Sequence, residues 1–240
     1  MIFAAGLGTR LGLATSNTPK AMIKINGVSL LEIAIERLLN NDFNEIVINV
    51  HHHADQIINF VNNYQGKAKL FISDESEKLL DTGGGLFKAS HFFEHEKAFL
   101  VYNADILCTL NLKNLYQYHI DNHGLASLVV RQRDTARKFL FDENNILSGW
   151  INNNTNEEVI TRSGNNYNQL AFSGIHILSP KIFELHQFKA DTPFSITQMY
   201  LELSKKHNII GYQDNFSEWL DVGKPDTLKQ AEKNFVKYMP

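Results

Sequence analysis

The first hundred residues alternate between short apolar runs and segments whose apolar residues recur at helical spacing. Residues 45–50 and 69–72 have the β-branched and aromatic composition of buried strands, and residues 30–38 and 54–64 have the helical pattern. Helices that cross over between parallel strands produce this alternation. The pattern predicts two βαβ units, and therefore an α/β fold with a mostly parallel sheet flanked by helices.

The texture changes along the rest of the chain. Residues 83–93 predict a further helix, and residues 98–102 predict a strand that stops at Asn103-Ala104-Asp105. From about residue 126, short strands at 128–130, 139–141 and 169–178 are joined by polar turns. We interpret this part as a small β-rich region packed against the first sheet. The prediction is a single domain, 1–240, with halves of about 1–125 and 126–240.

Composition excludes several classes of partner. The formal net charge of -3 provides no basic field for nucleic acid or an anionic membrane, and no apolar run approaches the roughly 20 residues that span a bilayer. Cys108 is the only cysteine, which excludes an internal disulfide and a thiolate metal cluster. We expect small-molecule partners and a reducing, cytoplasmic location without a signal peptide.

A glycine-rich turn follows the first predicted strand. The glycines at 6, 8 and 12 match neither the dinucleotide fingerprint nor the Walker pattern, which require a different third spacing or a Gly-Lys-Ser/Thr sequence. The strand itself has only about four residues, fewer than the usual five or six, and a start a few residues upstream would give it the usual length. The turn therefore predicts either a tight strand-to-helix connection or another kind of phosphate cradle.

The side chains around this turn favour the phosphate cradle. Glycine lets backbone N–H groups approach phosphate oxygens, Arg10 adds a guanidinium fork and Thr9 a hydroxyl donor. Lys20, directly after Pro19, supplies a second cation. A segment that combines these groups is suited to a polyphosphate.

Several motifs together resemble those of a known family. Ala4-Ala5-Gly6-Leu7-Gly8-Thr9-Arg10, followed by Thr18-Pro19-Lys20-Ala21-Met22, resembles the A-A-G-x-G-T-R…P-K-x-M signature of the sugar-1-phosphate nucleotidyltransferases. Further along the chain, the similar elements are the N-G-D strand end at Asn103-Ala104-Asp105, the sugar-side strand at Phe172-Ser173-Gly174-Ile175 and the W-x-D-V/I-G element at Trp219-Leu220-Asp221-Val222-Gly223. The resemblance covers essentially the whole chain. It implies a Rossmann-like, GT-A-like fold with a nucleotide-binding first half and a sugar-phosphate-binding second half.

A finer resemblance concerns the substrate. Residues 81–89 resemble the E-T-G-G-G-I-x-K-A segment of short N-acetylmuramate-1-phosphate uridylyltransferases of cell-wall recycling, with Asp81 in place of Glu, and Asn49 with His51 resembles their N-x-H stretch. This implies UTP and N-acetylmuramate 1-phosphate as substrates. A mannose-1-phosphate guanylyltransferase, a cytidylyltransferase and an inactive nucleotide-binding regulatory subunit remain alternatives. No motif fixes the oligomeric state.

Two aspartates are the candidate metal ligands. The phosphates of both substrates are anionic and repel each other unless cations lie between them, and Mg²⁺ with carboxylate ligands supplies such a cation. Asp105 and Asp221 each close an apolar run, which predicts that both reach one crevice at the carboxyl ends of strands. The alternative for Asp221 is a turn or a helix N-cap.

The resemblance also implies roles for individual residues. Arg10 and Lys20 are the candidate catalytic residues. The candidate nucleotide-binding residues are Ala4, Ala5, Gly6, Gly8, Thr9, Arg10, Lys20, Asp81, Gly83 and Asn103, and the candidate sugar-binding residues are Asn103, Phe172, Ser173, Gly174 and Trp219. The family's Glu-Lys-Pro segment for the sugar phosphate is missing between residues 142 and 152. Four basic residues either offer a substitute or form a solvated charged face: Arg131, Arg133, Arg137 and Lys138.

The end of the sequence predicts one more helix. An amphipathic helix is predicted around residues 228–235, and few residues follow it. We therefore expect none of the C-terminal acyltransferase or left-handed β-helix domains that larger relatives carry, and hence an enzyme with one activity.

Overall fold

The computed structural model describes residues 1–164, 166–185, 188–189 and 191–239. The strands are β1 Ile2–Phe3, β2 Lys24–Ile25, β3 Val28–Ser29, β4 Glu45–Val50, β5 Lys69–Asp74, β6 Phe99–Asn103, β7 Ile106–Cys108, β8 Ala126–Arg131, β9 Arg137–Phe141, β10 Leu147–Asn152, β11 Glu157–Ile160, β12 Asn168–Leu178, β13 Ile209–Gln213 and β14 Trp219–Asp221. The α-helices are α1 Leu30–Leu39, α2 Ala54–Asn62, α3 Asp81–Lys88, α4 Leu112–Asn122, α5 Ile196–Ser204, α6 Pro225–Lys233 and α7 Phe235–Tyr238. Short 3-10 segments occupy Thr9–Thr15, Lys20–Met22, Ser90–Phe92 and Pro180–Glu184.

The chain forms two compact units that are interleaved in sequence. The first unit contains residues 1–80, 101–113 and 217–240, and the second contains residues 81–100 and 114–216. The prediction of one domain with halves that meet near residue 125 stays a prediction.

The first unit contains a parallel sheet with β1 in its interior, formed by β1, β4, β5 and residues 101–103 of β6. The strand order is β6-β1-β4-β5, and every neighbouring pair is parallel. Phe3 lies opposite Asn49 on one side and Asn103 on the other. Helices α1 and α2 connect strands of this sheet, as the two predicted βαβ units require. The carboxyl ends of β1, β4 and β6 therefore lie side by side at the same end of the sheet.

Strand β1 is shorter than the four residues expected from the sequence, because the chain leaves the sheet after Phe3. The amides of Ala4 and Ala5 donate to the side-chain Oδ1 of Asn49, at 2.7 and 3.3 Å, and not to a strand carbonyl. A side chain of the neighbouring strand thus ends the ladder and starts the glycine turn.

Helix α1 begins with a capping box that fixes its first turn. The Ser29 hydroxyl accepts from the Glu32 amide at 3.1 Å, and the Glu32 carboxylate accepts from the Ser29 amide at 2.8 Å. Each bond satisfies an N–H group that a helix start leaves without an intrahelical partner. The apolar residues predicted from the helical period are buried in this helix, namely Leu30, Leu31, Ile33, Ala34, Ile35 and Leu38.

The second unit is rich in antiparallel β-structure. Strands β11, β10, β9, β12 and β8 pair antiparallel in that order, and β13 adds a parallel partner to β8. The register between β12 and β8 shifts between Phe172 and His176, and Gly174 in this stretch has a positive φ of 74°. Such an irregularity bends a strand and redirects its side chains.

The predicted fold class is confirmed, because the pairs form a mixed and mostly parallel central sheet flanked by helices, together with a β-rich region. None of the helices in the described ranges is long and apolar enough to cross a membrane.

Two histidines in the second unit are buried. His119 is 3% exposed and its Nδ1 lies 2.8 Å from the Ser127 hydroxyl, while His176 is 1% exposed and its Nδ1 lies 2.7 Å from the Tyr200 hydroxyl. Burial lowers the pKa of His119 from 6.5 to about 4 and that of His176 to about 3. Both rings are therefore neutral in the folded protein at neutral pH.

This burial predicts a loss of stability in mild acid. Between pH 6.5 and 4 the unfolded chain binds a proton at residue 119 that the folded chain does not, so the free energy of unfolding falls as the pH falls. The His119→Asn variant lacks this proton uptake. The slope of its free energy of unfolding against pH, measured by urea titrations across this window, should therefore be smaller by about 1 kcal/mol per pH unit. The exposed His95→Asn is the matched control for the substitution itself. An equal slope in H119N and the native protein would contradict the assignment.

Candidate active site

Two short strands bring Asp105 and Asp221 to the same place. Strand β7 starts directly after Asp105, β14 ends at Asp221, and the two strands pair antiparallel with Asp221 opposite Ile106. The Val222 amide also donates to the Asp105 carbonyl at 2.9 Å. Asp105 and Asp221, more than a hundred positions apart in sequence, are therefore adjacent in space, close to the carboxyl end of β6.

Lys20 lies between these carboxylates. Its Nζ donates a very short hydrogen bond to Asp105 Oδ2 and lies 3.9 Å from Asp221 Oδ1. The Lys20 side chain is only 12% exposed, so its stem is enclosed by the protein and its charge needs a nearby partner. A short 3-10 turn that begins at Lys20, after the extended Pro19, sets the direction of the side chain.

Arg10 reaches the same group from the glycine turn. Its Nη2 lies 3.8 Å from Asp221 Oδ2, and its side chain is 58% exposed. Gly223 makes room for this contact, because a Cβ there would lie 2.6 Å from Asp221 Oδ1 and 2.7 Å from Arg10 Nη2. Two cations and two carboxylates thus meet in the first unit, and the outer guanidinium is open to solvent.

The glycine turn packs tightly against Lys20 at one position. Gly8 has a φ of 65°, and a Cβ there would lie 2.8 Å from the Thr15 methyl group and 3.1 Å from Lys20 Cβ. Thr15 is 5% exposed, and its hydroxyl lies 3.1 Å from the carbonyl oxygens of both Gly8 and Gly12. Gly8 therefore serves the turn's own conformation and packing.

Gly6 stands in a different environment. Apart from its two chain neighbours, no atom of the described residues lies within 4 Å of a Cβ built on it, its φ is not positive, and the residue is exposed. Leu7 and Thr9 are also exposed, whereas Ala4 and Ala5 are buried. The solvent-facing part of the turn is thus residues 6, 7 and 9, next to Arg10.

The start of the turn is fixed by buried polar side chains. Asn49 Oδ1 accepts from the amides of Ala4 and Ala5, and Asn49 Nδ2 donates to Glu75 Oε1 at 2.7 Å. Glu75 is fully buried, and its Oε2 accepts from the Leu80 amide at 3.2 Å. These amides of residues 4 and 5 are already hydrogen-bonded, and their predicted contact with a nucleotide stays a prediction.

Asn103 and Trp219 also belong to the first unit. Asn103 is the last residue of β6, half-buried, and lies opposite Phe3 in the strand next to the turn. Trp219 begins β14, two residues before Asp221, so the two side chains face the same side of that strand. Their sugar contacts stay predictions.

The remaining nucleotide-side candidates lie in the second unit. Asp81 is exposed with a φ of 59°, and its Oδ1 accepts from the Thr82 amide at 2.6 Å. The Gly83 amide donates to the Phe194 carbonyl at 2.9 Å, and a Cβ on Gly83 would lie 2.3 Å from the Phe194 ring. Gly83 thus has a packing reason to be glycine, and its contact with a base stays a prediction.

The sugar-side candidates lie in the irregular stretch of β12. Phe172 is half-buried, while Ser173 and Gly174 are buried. Arg133 Nη2 donates to the Phe172 carbonyl at 3.2 Å, and Arg131 pairs with Asp214 at 3.0 Å. These partners of the two arginines thus belong to the second unit. The other two basic candidates, Arg137 and Lys138, lie on β9.

The donor set at the aspartates fits a magnesium ion. Asp105 and Asp221 are 21% and 33% exposed and lie within 3.9 Å of one ammonium group, so one cation reaches both. Mg²⁺ prefers hard oxygen ligands and is commonly bound by one or two carboxylates with substrate phosphates and water. In the part of the chain that the structure describes, no group of three or more His, Cys, Asp or Glu side chains is arranged around a metal site. Asp105 and Asp221 are therefore the residues that would hold the ion.

Comparison with known proteins identifies the family. Residues 1–237 match the nucleotidyl transferase family. The chain belongs to this family. The resemblance recognised in the sequence motifs is thereby confirmed.

Two curated members of the family illustrate the range of relatives. The catalytic subunit beta of mannose-1-phosphate guanylyltransferase from Drosophila melanogaster is 24% identical over 94% of this chain, which spans 59% of the relative's length. N-acetylmuramate alpha-1-phosphate uridylyltransferase from Caulobacter vibrioides is also 24% identical, over 99% of this chain and 96% of its own length.

Among solved structures, HddC from Yersinia pseudotuberculosis, crystallised with GMP-PN, is similar with a TM-score of 0.76. It is 23% identical, and the match covers 98% of this chain and 97% of HddC. This likeness shows the GT-A-like nucleotidyltransferase fold.

Sequence reasoning missed three residues of the site. Thr15 lies within seven residues of the glycines that it contacts but belongs to no quoted motif. Glu75 carries no motif signal, because its role depends on Asn49, 26 residues away in sequence. Gly223 stands in the W-x-D-V/I-G element, and the glycine two residues after Asp221 was the available signal.

The two glycines of the turn provide a test of which part of it faces a ligand. Gly8→Ala should lower the melting temperature and nucleotide affinity together, because it strains a positive φ and crowds Thr15. Gly6→Ala should keep the melting temperature, because its methyl group meets none of the described residues beyond its chain neighbours, and it should weaken nucleotide binding if a phosphate approaches the turn there. Thermal unfolding with and without a nucleoside triphosphate measures both. Wild-type affinity in G6A would show that Gly6 does not approach the ligand.

Proposed function

We propose that this protein transfers a nucleotidyl group from a nucleoside triphosphate to a sugar 1-phosphate and releases pyrophosphate. The observation that carries the proposal is Lys20, which lies against Asp105 and within 3.9 Å of Asp221, beside a turn with solvent-facing glycine. This combination provides cations for phosphates and carboxylates for a divalent ion. The family membership of the chain supports it.

The proposed reaction is an in-line displacement without a covalent enzyme intermediate. An oxygen of the sugar phosphate forms a bond to the α-phosphorus, and the bond between that phosphorus and the bridging oxygen breaks, so that pyrophosphate leaves with the electron pair. Both reactants are anions, so catalysis consists mainly of positioning and charge neutralisation.

The residues divide this work by their exposure. Arg10, with a solvent-exposed guanidinium, binds the β- and γ-phosphates together with the backbone of residues 6–9. Lys20, with an enclosed stem, neutralises charge at the α-phosphate or at the attacking phosphate. Asp105 and Asp221 would hold Mg²⁺, which when bound supplies positive charge that lets the two anionic phosphates approach each other.

For the substrates, we propose UTP and N-acetylmuramate 1-phosphate. The Caulobacter relative named for this activity matches over nearly the full length of both chains. The segment at residues 81–89 resembles the corresponding segment of that group. The proposal includes a role in cell-wall recycling in the cytoplasm. The guanylyltransferase relatives supply the alternative pair, GTP and mannose 1-phosphate.

The first test removes the proposed charges. Lys20→Ala and Asp105→Asn should each lower kcat by about 100-fold or more while the protein remains folded, because they remove groups that stabilise developing charge. Pyrophosphate release in the presence of Mg²⁺ measures kcat. Lys24→Ala, an exposed lysine four residues away, is the control and should retain wild-type turnover. Near-normal turnover in K20A or D105N would refute the role of that residue.

The second test identifies the substrates. Pyrophosphate release is measured with UTP, GTP, CTP and ATP, each combined with N-acetylmuramate 1-phosphate and mannose 1-phosphate. UTP with N-acetylmuramate 1-phosphate should give the highest kcat/KM, and this nucleotide should raise the melting temperature most in the presence of Mg²⁺. A preference for GTP and mannose 1-phosphate would replace the proposed pair. Nucleotide binding without turnover on any pair would indicate a regulatory subunit.

A further inference from the structure

Glu75 is a fully buried carboxylate with no part in the proposed chemistry. It follows β5, and both its oxygens accept hydrogen bonds, from Asn49 Nδ2 at 2.7 Å and from the Leu80 amide at 3.2 Å. Its own carbonyl oxygen lies 2.6 Å from His51 Nδ1. Burying a carboxylate costs several kcal/mol unless such bonds compensate, and an apolar replacement of a buried ionic group is often neutral or stabilising. A role in stability alone therefore accounts poorly for Glu75.

Glu75 determines which way the amide of Asn49 points. The two ends of an Asn side chain are opposite in hydrogen-bonding character, and a carboxylate can only accept from the NH₂ end. With Nδ2 turned to Glu75, Oδ1 is turned to the backbone amides of Ala4 and Ala5, which it accepts at 2.7 and 3.3 Å. Asn49 is 3% exposed, so water does not compete effectively for either end.

The orientation of the Asn49 amide determines the direction of the glycine turn. The amides of Ala4 and Ala5 are the first two after β1, and their bonds to Asn49 take the chain out of the sheet. The solvent-facing Gly6 and the cation Arg10 follow within five residues. The second oxygen of Glu75 holds Leu80, the residue before Asp81 in sequence.

We propose that Glu75 and Asn49 are positioning residues for nucleotide binding. They form a buried relay, from the Leu80 amide through Glu75 and Asn49 to the amides of Ala4 and Ala5, that sets the direction in which the glycine turn presents its backbone to phosphates. The inference rests on the proposed function and deepens it, because it assigns the alignment of the phosphate turn to two side chains that do not touch the ligand.

The polarity of the relay allows a test by exchange. In Glu75→Gln the new NH₂ group must face either Asn49 Nδ2 or the Leu80 amide, and both are donors. In the double variant Glu75→Gln/Asn49→Asp, Asp at 49 accepts from Ala4 and Ala5 and also from the Gln at 75, whose oxygen accepts from Leu80. The double variant thus restores a donor opposite the acceptor at each of these relay contacts and keeps the same net charge as the native protein.

The expected results follow from this polarity. E75Q should weaken binding of the Mg²⁺–nucleoside triphosphate, measured by calorimetry well below the melting temperature, by about tenfold, because opposed donors in the relay turn the Asn49 side chain from the amides of Ala4 and Ala5 and displace the glycine turn. KM for the nucleotide should rise by a similar factor, with a smaller change in kcat. E75Q/N49D should return to within about threefold of the native affinity. N49D alone completes the cycle and should bind weakly, because it sets two acceptors against each other.

The outcomes separate this inference from the proposed function. Native nucleotide affinity in folded E75Q, with only a lower melting temperature, would reduce the relay to a structural role and overturn the inference. A folded double variant that binds nucleotide more than about tenfold more weakly than the native protein would also overturn it, even if both single variants fail to fold. Absence of transferase turnover in the native protein would instead count against the proposed function. It would leave the relay untouched, because the test of the relay measures nucleotide affinity and not turnover.

Discussion

A single apolar cluster in the first unit fixes the backbone on which the charged groups of the candidate site stand. Each charged residue is followed, within one to three positions, by a buried apolar residue of this cluster: Leu11 after Arg10, Ile23 after Lys20, Leu107 after Asp105 and Val222 after Asp221. Dense packing leaves such residues little freedom to move. Four charged side chains from three distant parts of the sequence can therefore keep a common arrangement although none of them is itself part of the core.

The electrostatic balance depends on the difference between the two cations. Lys20 is largely enclosed, so loss of its carboxylate partners would leave a poorly solvated charge, which is costly. Arg10 is mostly exposed, and its 3.8 Å contact with Asp221 is a weak surface pair. In the function that we propose, an incoming polyphosphate would compete with one weak contact for Arg10 but would share Lys20 with two carboxylates. The site thus combines an enclosed inner charge with an outer charge that is open to solvent.

Local sequence patterns predicted the elements that depend on local rules. The helical period placed α1 and α2 within two residues of their observed ends. Asp105 was selected because ligands bind at the carboxyl ends of parallel strands, and it lies directly after β6. The length of β1 was overestimated, because its end depends on the Asn49 side chain, which lies 45 residues away from Ala4 in sequence. Glu75 was missed for the same reason. A buried carboxylate between polar neighbours looks like a surface residue until its tertiary partners are known.

The glycines show most clearly why a motif does not define the role of each residue in it. In the sequence, Gly6, Gly8 and Gly83 all belong to segments that resemble nucleotide-binding motifs. The structure gives Gly8 a positive φ and close neighbours, and it places the Phe194 ring where a Cβ on Gly83 would stand. Among the residues that the structure describes, Gly6 alone of these three has neither a positive φ nor a neighbour, its adjacent residues aside, within reach of a Cβ. The packing of the described residues thus explains the lack of a side chain at Gly8 and Gly83, and the nucleotide contact that we propose is the explanation we offer for Gly6.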